Sequence, residues 1–202
     1  MTFVLIRIAI AVVLFVAAAL IMKIKFNQKD IKIYLVAFLG CTIIGCALFF
    51  VPIEDSFLTF NNREEAVAYV TDNSVTHVLQ GKVSDCVITK NSNNTSMLML
   101  PKTQNGYKVA LESYVVRAEQ YADDDIYINV FRFKNSNDYY MVITDFNSGY
   151  GEISDSCNST FEYEEITDEK LGTYCSYYCY IDGFDKNYSL TLNKKSHSPF
   201  AE

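Results

Sequence analysis

Residues 2–22 read TFVLIRIAIAVVLFVAAALIM, and residues 33–53 read IYLVAFLGCTIIGCALFFVPI. The first stretch contains one charged residue, Arg7, and the second contains none. A membrane-spanning helix needs about 20 predominantly apolar residues, and both stretches reach that length. Two such runs rarely fit inside a small soluble domain. The sequence therefore predicts a transmembrane hairpin over residues 1–53, with helices at about 2–22 and 33–53.

The charges on either side of these helices predict an orientation. Residues 1–53 hold five basic residues and one acidic residue, whereas residues 54–202 hold 12 basic and 23 acidic residues. Four of the lysines lie in or beside the loop 23–32, and the positive-inside rule places such a loop in the cytoplasm. We therefore predict a cell-membrane protein with both termini extracytoplasmic. Arg7, near one helix end, is expected to reach the lipid headgroups.

Two short motifs offer alternatives to this topology. Residues 17–19 read AAA and resemble a signal-peptidase site, although the apolar residues 20–22 follow where a mature chain usually turns polar. Cleavage there would leave one helix and place the acidic part inside. Residues 43–46 read IIGC and resemble a bacterial lipobox, but the apolar run continues through residues 47–50. That continuation favours a cysteine within a membrane helix.

Residues 54–195 are predicted to form an extracytoplasmic domain that is predominantly antiparallel β, with one or two short helices. Asn62 and Glu65 have the spacing of a capping box and predict a helix over 62–71, and a helical turn is predicted over 167–172. Alternating or short apolar runs predict strands at 74–79, 85–90, 96–100, 107–111, 126–131, 139–144, 174–181 and 188–193. Residues 113–122 fit either a helix or a strand, and residues 196–202 are expected to form a loose tail. The predicted fold class is α+β.

A repeated tetrapeptide raises the question of internal duplication. KNSN occurs at residues 90–93 and again at 134–137, each time after a strand-like run. Gly-Tyr pairs follow at 106–107 and 149–150, so residues 86–113 and 130–156 are predicted to superpose if the repeat is an ancient duplication. Two unrelated hairpins would also produce the pattern, because Asn and Ser favour turns.

Four cysteines lie in the predicted outer domain: Cys86, Cys157, Cys175 and Cys179. An even number outside the cytoplasm suggests disulfides. In one strand Cys175 and Cys179 would share a face about 13 Å apart, whereas a disulfide needs Cα atoms within roughly 7 Å. Cys86 and Cys157 are then their candidate partners, and four unpaired thiols are the alternative. The chain has two histidines, neither at a spacing typical of a metal site, so no metal is predicted.

Catalytic and nucleic-acid-binding functions find little support in the sequence. It contains no nucleophile elbow, P-loop, zinc-protease helix or dinucleotide-binding motif, so an enzyme is the less favoured class and no cofactor is predicted. The acidic run at residues 123–125 lacks the glycine and the distal glutamate of a calcium loop. A strongly acidic domain repels phosphates, which argues against nucleic acid.

Tyrosine is the most unusual residue of the composition, with 15 copies. Four of them crowd one predicted strand: Tyr174, Tyr177, Tyr178 and Tyr180. Such a cluster is a candidate contact surface, because an apolar ring that ends in a hydroxyl suits protein interfaces. Packing within the sheet is the alternative.

Several segments carry a resemblance to known proteins: residues 52–60, the EEA at 64–66, the PK at 101–102 and the GYK at 106–108. They resemble small membrane-anchored proteins of Gram-positive Firmicutes, especially clostridia. Those proteins pair N-terminal membrane helices with an extracytoplasmic β-rich domain and mostly lack an assigned function. The resemblance implies a bacterial host and the topology given above, and it supplies no active site.

The sequence is best interpreted as a membrane-tethered, non-catalytic interaction or sensing module at the cell envelope. Its expected partners are the lipid bilayer and a protein at the cell surface, and an exposed sheet edge that binds a peptide strand is one mode. An extracytoplasmic enzyme with an unrecognised site is one alternative. Another is an accessory subunit that acts through its membrane helices, with Gly40, Cys41 and Gly45 at the contact.

Overall fold

The computed structural model describes residues 2–26, 31–48, 58–91, 95–109, 115–123, 125–146, 151–168, 172–184, 187–193 and 195–197. The helices are α1 (Thr2–Phe26), α2 (Ile31–Leu48) and α3 (Arg63–Val70). The strands are β1 (Ser74–Gln80), β2 (Ser84–Lys90), β3 (Thr95–Thr103), β4 (Gly106–Tyr107), β5 (Val115–Asp123), β6 (Ile126–Phe133), β7 (Asp138–Asp145), β8 (Ile153–Asp155), β9 (Glu162–Asp168), β10 (Gly172–Asp182), β11 (Leu190–Leu192) and β12 (Lys195–His197). The chain is α+β, with mostly antiparallel sheets.

One helix of the described residues has the length and composition of a membrane span. Its apolar part, Leu5–Ile24, covers 20 residues with a mean hydropathy of 2.8. The apolar part of α2, Ile31–Cys46, is shorter, and residues 49–53 of the predicted second span lie outside the described residues. The predicted two-helix hairpin is therefore not confirmed. Helix α1 also runs past residue 22, because lysines are good helix formers and do not stop it.

Helices α1 and α2 pack against each other in opposite directions. A Cβ atom placed on Gly45 would lie 3.1 Å from Cβ of Ala11, and the rings of Phe15 and Phe38 meet edge-on with centroids 5.3 Å apart. Arg7 is only 1% exposed and lines a small cavity between the two helices. Its side chain lies in the helix seam, which differs from the expected reach to the headgroups.

Helix α3 begins where the capping box predicts. The backbone N–H of Glu65 donates to Oδ1 of Asn62 at 2.8 Å, and Oε2 of Glu65 accepts from the backbone N–H of Asn61 at 3.2 Å. Ala66 and Val67 turn inward and are buried. This short helix is thus fixed by its cap and by one apolar face.

The strands form three antiparallel sheets. The first sheet has the order β1-β2-β3-β4, the second β5-β6-β7-β10-β9 and the third β12-β11-β8. The ambiguous segment 113–122 contributes strand β5. The predicted helical turn at 167–172 is wrong at its described residues, because β9 continues to Asp168 and β10 begins at Gly172, and residues 169–171 lie outside the described residues. Strand β12 extends to His197, two residues into the predicted tail.

The domain is a stack of layers. An inter-sheet cluster lies between the first and second sheets and includes Cys86, Ile88 and Tyr140. The third sheet covers the other face of the second sheet with residues such as Leu190. Helix α3 covers the outer face of the first sheet, and Ile6 of α1 packs against the same apolar cluster. Strand β2 therefore has covered faces on both sides, and all residues from 84 to 89 are buried.

Both KNSN segments follow the first strand of a hairpin, β2–β3 and β6–β7. In the second copy Asn135 adopts a left-handed φ of 59°, and Oγ of Ser136 donates to the carbonyl of Phe133 at 2.8 Å. After the hairpins the two units differ: β4 joins the sheet of β3, whereas β8 belongs to the third sheet. The similarity therefore does not extend to strand arrangement beyond the hairpins. Residues 92–94, 110–114 and 147–150 lie outside the described residues.

Candidate functional site

A buried carboxylate pins the first sheet to the second at one end. Asp138, the first residue of β7, is 1% exposed. Its carboxylate accepts the backbone N–H groups of Lys82 (3.0 Å), Val83 (2.8 Å) and Ser84 (2.9 Å). It also accepts the hydroxyls of Ser84 (3.0 Å) and Tyr180 (3.1 Å). The tip of the β1–β2 hairpin is thereby attached to the second sheet.

This arrangement controls the charge of Asp138. Burial pushes the pKa of its carboxyl upward, but the hydrogen bonds from Val83, Lys82 and Ser84 outweigh burial and hold the pKa below its ordinary value. The hydroxyl of Tyr140 donates to the carbonyl of Ser84 at 2.9 Å and completes the contact. Asp138 is therefore an ionised, hydrogen-bonded structural group.

At the opposite end the two sheets separate and leave an open cleft of about 290 Å³. The first sheet contributes one wall with Ile88 and Met97. The second sheet contributes aromatic side chains to the other wall: Phe131, Phe146, Tyr174 and Tyr178. The lining is predominantly apolar and contains no Asp, Glu, His, Lys or Arg side chain. Such a cleft has the usual character of a small-molecule site.

Hydroxyl groups lie at neighbouring positions on the wall that the second sheet contributes to the cleft. Ser176 and Thr144 are direct partners in the β7–β10 pair, and Asn129 on β6 also lines the cleft. Ser176 is 3% exposed. Burial raises the pKa of Tyr178 to about 12 against the effect of its hydrogen bond with Ser176, so the phenol remains a neutral donor. The cleft therefore combines apolar walls with a few neutral hydrogen-bonding groups.

Charged residues lie just outside the cleft and bridge the sheets. Nδ1 of His77 lies 2.8 Å from Oε2 of Glu162, and its Nε2 lies 3.5 Å from Oε2 of Glu164. Nζ of Lys90 lies 2.8 Å from Oε1 of Glu164. The His77 ring also packs against Tyr178, with centroids 5.2 Å apart. These contacts tie β1 and β2 to β9 beside the cleft.

A second buried carboxylate stabilises the outer face of the first sheet. Asp85 is 1% exposed. Its carboxylate lies 2.7 Å from Nζ of Lys102 and 3.4 Å from the guanidinium of Arg63, and it accepts the hydroxyl of Tyr107 at 3.1 Å. The group attaches α3 to the sheet. It lies on the opposite side of β2 from the cleft, so we assign it a structural role.

The structure divides the four tyrosines of the predicted contact surface. Tyr174 and Tyr178 line the cleft. Tyr180 lies on the same face of β10, but its hydroxyl donates to the carboxylate of Asp138. Tyr177 points the other way and is buried beneath the third sheet. The even-numbered positions are therefore grouped together, as the two-residue period of a strand requires.

The cysteines also lie on different faces. Cys86 belongs to the inter-sheet cluster, whereas Cys175 and Cys179 are buried on the other face of β10. A disulfide from Cys86 to either of them would have to pass through the second sheet. Cys157 is exposed on the loop after β8, so Cys157 is the remaining candidate partner for Cys175 or Cys179. A disulfide between Cys157 and either Cys175 or Cys179 stays a prediction.

Several cleft residues were not singled out by the sequence, among them Phe131, Thr144, Phe146 and Ser176. Phe131, Thr144 and Ser176 lie in ordinary alternating strands and Phe146 directly follows β7, and only the stacking of the sheets brings them together. Within the described ranges no group of three or more His, Cys, Asp or Glu side chains is arranged to hold a metal ion.

No protein-family model, no curated protein and no solved structure matches this chain. The function is therefore argued from the geometry of the site itself.

Proposed function

We propose that the chain is a membrane-tethered, non-catalytic interaction or sensing module at the cell envelope, and that its β domain recognises a small neutral ligand in the inter-sheet cleft. The observation that carries the proposal is the cleft itself, with its aromatic walls, its buried hydroxyl and no Asp, Glu, His, Lys or Arg among the lining residues. A catalytic pocket would more often contain carboxylate, imidazole or amine groups that transfer protons near neutral pH.

The size and lining of the cleft define the ligand class. A volume of about 290 Å³ is at the lower end of small-molecule sites. Tyr174 and Phe146 offer ring faces, and Asn129, Thr144 and Ser176 offer an amide and hydroxyls. The matching ligand is a single neutral ring with an apolar face and with hydroxyl or amide groups at its edge.

The membrane tether is supported by the apolar helix α1, and we include α2 as a second, shorter span. The lysine-rich connection between the helices then lies in the cytoplasm, which leaves both termini and the acidic β domain outside. This orientation has a direct test in intact cells. After reduction, a membrane-impermeant maleimide should label Cys157, the exposed cysteine of the domain. Labelling only after permeabilisation would overturn the outward orientation.

A chain of packed side chains links the cleft to α1 and favours a sensing role. Ile88 of β2 lines the cleft, and its neighbour Val87 faces the cluster beneath α3. Ile6 of α1 packs against that same cluster. A ligand that shifts the first sheet would therefore press on side chains that contact the membrane helix.

The ligand proposal is tested by saturation-transfer NMR on the full chain in nanodiscs, with a library of neutral ring compounds that bear hydroxyls or amides. We expect binders that lose their signal in Thr144→Phe, because the larger side chain fills the cleft. Thr173→Phe is the matched control, since Thr173 is an exposed residue of β10 that does not line the cleft. Binding that survives in Thr144→Phe, or the absence of any binder, would refute the assignment.

A further inference from the structure

A second cavity lies beside β1, on the side away from β2. It has a volume of about 530 Å³ and is a groove open to solvent. Residues 78–80 of β1 form one wall, and residues 157–160 and Glu162 form the other. Tyr180 and Asp182 also line it. The groove is separate from the inter-sheet cleft and uses a different edge of the first sheet.

The main chain of β1 directs hydrogen-bonding groups into this groove. The N–H of Gly81 donates to the carbonyl of Ser84 at 3.0 Å, so these two residues form a hydrogen-bonded pair at the end of the hairpin. Hydrogen-bonded and non-hydrogen-bonded pairs alternate along an antiparallel ladder. The register continues through Gln80↔Asp85 and Val78↔Val87, which are then the non-hydrogen-bonded pairs. The N–H and C=O groups of residues 78 and 80 consequently point away from β2.

No strand of the described residues pairs with β1 on that side, since β1 ends the order of its sheet. An edge that presents free main-chain groups is a template for another strand. Residues 78–80 cover about 10 Å at a rise of about 3.3 Å per residue. The exposed ladder is thus long enough to hold a short stretch of extended peptide.

The stacking of the two sheets places the groove above β9. The ring of His77 on β1 lies against Tyr178 on β10. The second sheet continues one strand further, to β9, and Glu162 of β9 reaches back to His77. The groove lies over the start of β9, at the position where the next strand of the first sheet would pair with β1. A strand added to β1 at this position would therefore lie over β9.

The negative charge of the groove favours basic side chains in an added strand. Glu162 and Asp182 line it, and their side chains are 39% and 51% exposed. Each carboxylate already contacts one basic group, His77 or Lys82, but both retain enough exposure for a second cation to approach. The chain from residue 54 onward is also strongly acidic, which steers basic partners toward it.

We propose that an extended segment of a partner protein, with basic side chains at alternate positions, adds to β1 as a new edge strand in this groove. Its main chain pairs with residues 78 and 80, and its basic side chains face Glu162 and Asp182. This surface goes beyond the cleft: it gives the interaction module a protein partner of defined chemistry. Neither site depends on the other.

The probe is a fluorescein-labelled octapeptide, Ac-KVKVKVKV-NH2, titrated by anisotropy into the full chain in nanodiscs of zwitterionic lipid. Two comparison peptides separate the contributions. Ac-KPKVKPKV-NH2 keeps the charge but loses the N–H groups and the conformation that strand pairing needs, and Ac-EVEVEVEV-NH2 reverses the charge. We expect at least tenfold weaker binding for each. Equal binding of the proline peptide would overturn strand addition and leave only charge attraction.

The matched variants act on the same residue of β1. Gln80→Pro removes an N–H that points into the groove and is not used in the β1–β2 ladder, so we expect a tenfold loss of affinity. Gln80→Thr keeps that N–H and should bind within twofold of wild type. Binding by Gln80→Pro within twofold of wild type would refute the proposal.

Two further measurements keep the test independent of the folding of Gln80→Pro. In the wild-type chain, the amides of residues 78 and 80 should exchange more slowly with deuterium when the lysine–valine peptide is bound. Unchanged exchange at both residues at saturating peptide would also contradict strand addition. Thr144→Phe, which blocks the cleft, should bind the peptide as wild type does, and loss of peptide binding there would contradict the separation of the two sites.

Discussion

Replacement of Asp138 by alanine tests the view that one carboxylate pins the two sheets. The variant removes the acceptor for three backbone N–H groups and two hydroxyls. Water can replace the acceptor at the part-buried amides of residues 82 and 83, and the hydroxyl of Ser84 keeps a partner in the hydroxyl of Tyr140 at 2.8 Å, whereas the buried N–H of Ser84 loses its acceptor. A buried donor left without an acceptor costs about 1–3 kcal/mol. With the hydrogen bond lost at the Ser84 hydroxyl added, we expect a loss of about 3 kcal/mol in the free energy of unfolding, or about 6–12 °C in Tm.

The assay is urea unfolding of the full chain in detergent micelles, followed by the near-ultraviolet circular dichroism of the tyrosines. Asp138→Asn keeps one acceptor oxygen and should lose about 2 kcal/mol. The control is Asp182→Asn, which breaks only an exposed contact with Lys82 and should change stability by less than about 1 kcal/mol. A loss below about 1 kcal/mol in Asp138→Ala would refute the reasoning, because such a value is typical of a surface substitution.

The pH dependence provides a second signature of the same residue. The pKa of Asp138 in the folded chain is lower than its ordinary value, so folding favours the ionised form. Its stabilising contribution is complete above the unfolded-state pKa of about 4 and is lost as the pH falls through the lower folded-state value. Asp138→Asn does not titrate at this position. The difference in stability between wild type and this variant should therefore be largest near neutral pH and should shrink below pH 4.

Three further predictions concern other parts of the domain. Gly81→Ala places a Cβ atom against the hydroxyl of Tyr140 and the carboxylate of Asp138. Urea unfolding should therefore show a loss of about 1–3 kcal/mol in the free energy of unfolding, and an unchanged midpoint would contradict the tight contact. Lys102→Met leaves the buried Asp85 with a weaker ion pair and should lower the free energy of unfolding by about 2–4 kcal/mol. The control Lys82→Met, on the surface, should lower it by less than about 1 kcal/mol, and equal losses in the two variants would contradict the role of burial. After reduction, a maleimide should react with Cys157 within minutes in the folded chain, while the other three domain cysteines, which are buried, should react only after unfolding. Mass spectrometry of the peptides distinguishes them.

Local signals in the sequence predicted the parts of the fold that are fixed locally. Helix α3 was predicted from Asn62 and Glu65 because its cap is made by neighbouring residues. Most strands were predicted because apolar alternation and turn residues act within a few positions. Gly172 was misread as the end of a helical turn, since glycine often stops helices but here begins a strand with a φ of +79°.

The candidate sites could not be predicted in the same way, because they depend on contacts between distant segments. Asp138 meets residues 82–84 only when the sheets stack. Ser176 and Thr144 are unremarkable members of their strands until register places them side by side. The division of the tyrosine cluster was foreseeable, since a two-residue period separates Tyr177 from its even-numbered neighbours. Which of the two faces would meet a cleft was not.

The contact of Ile6 with the cluster beneath α3 has a practical consequence for anyone who cuts the chain. A fragment that begins at residue 54 lacks Ile6 and leaves the part of that cluster against which Ile6 packs exposed to water. An apolar surface created by truncation favours self-association. Dimers of such a fragment would therefore reflect the missing helix and not the natural assembly, and sedimentation measurements should be made on the chain with α1 retained.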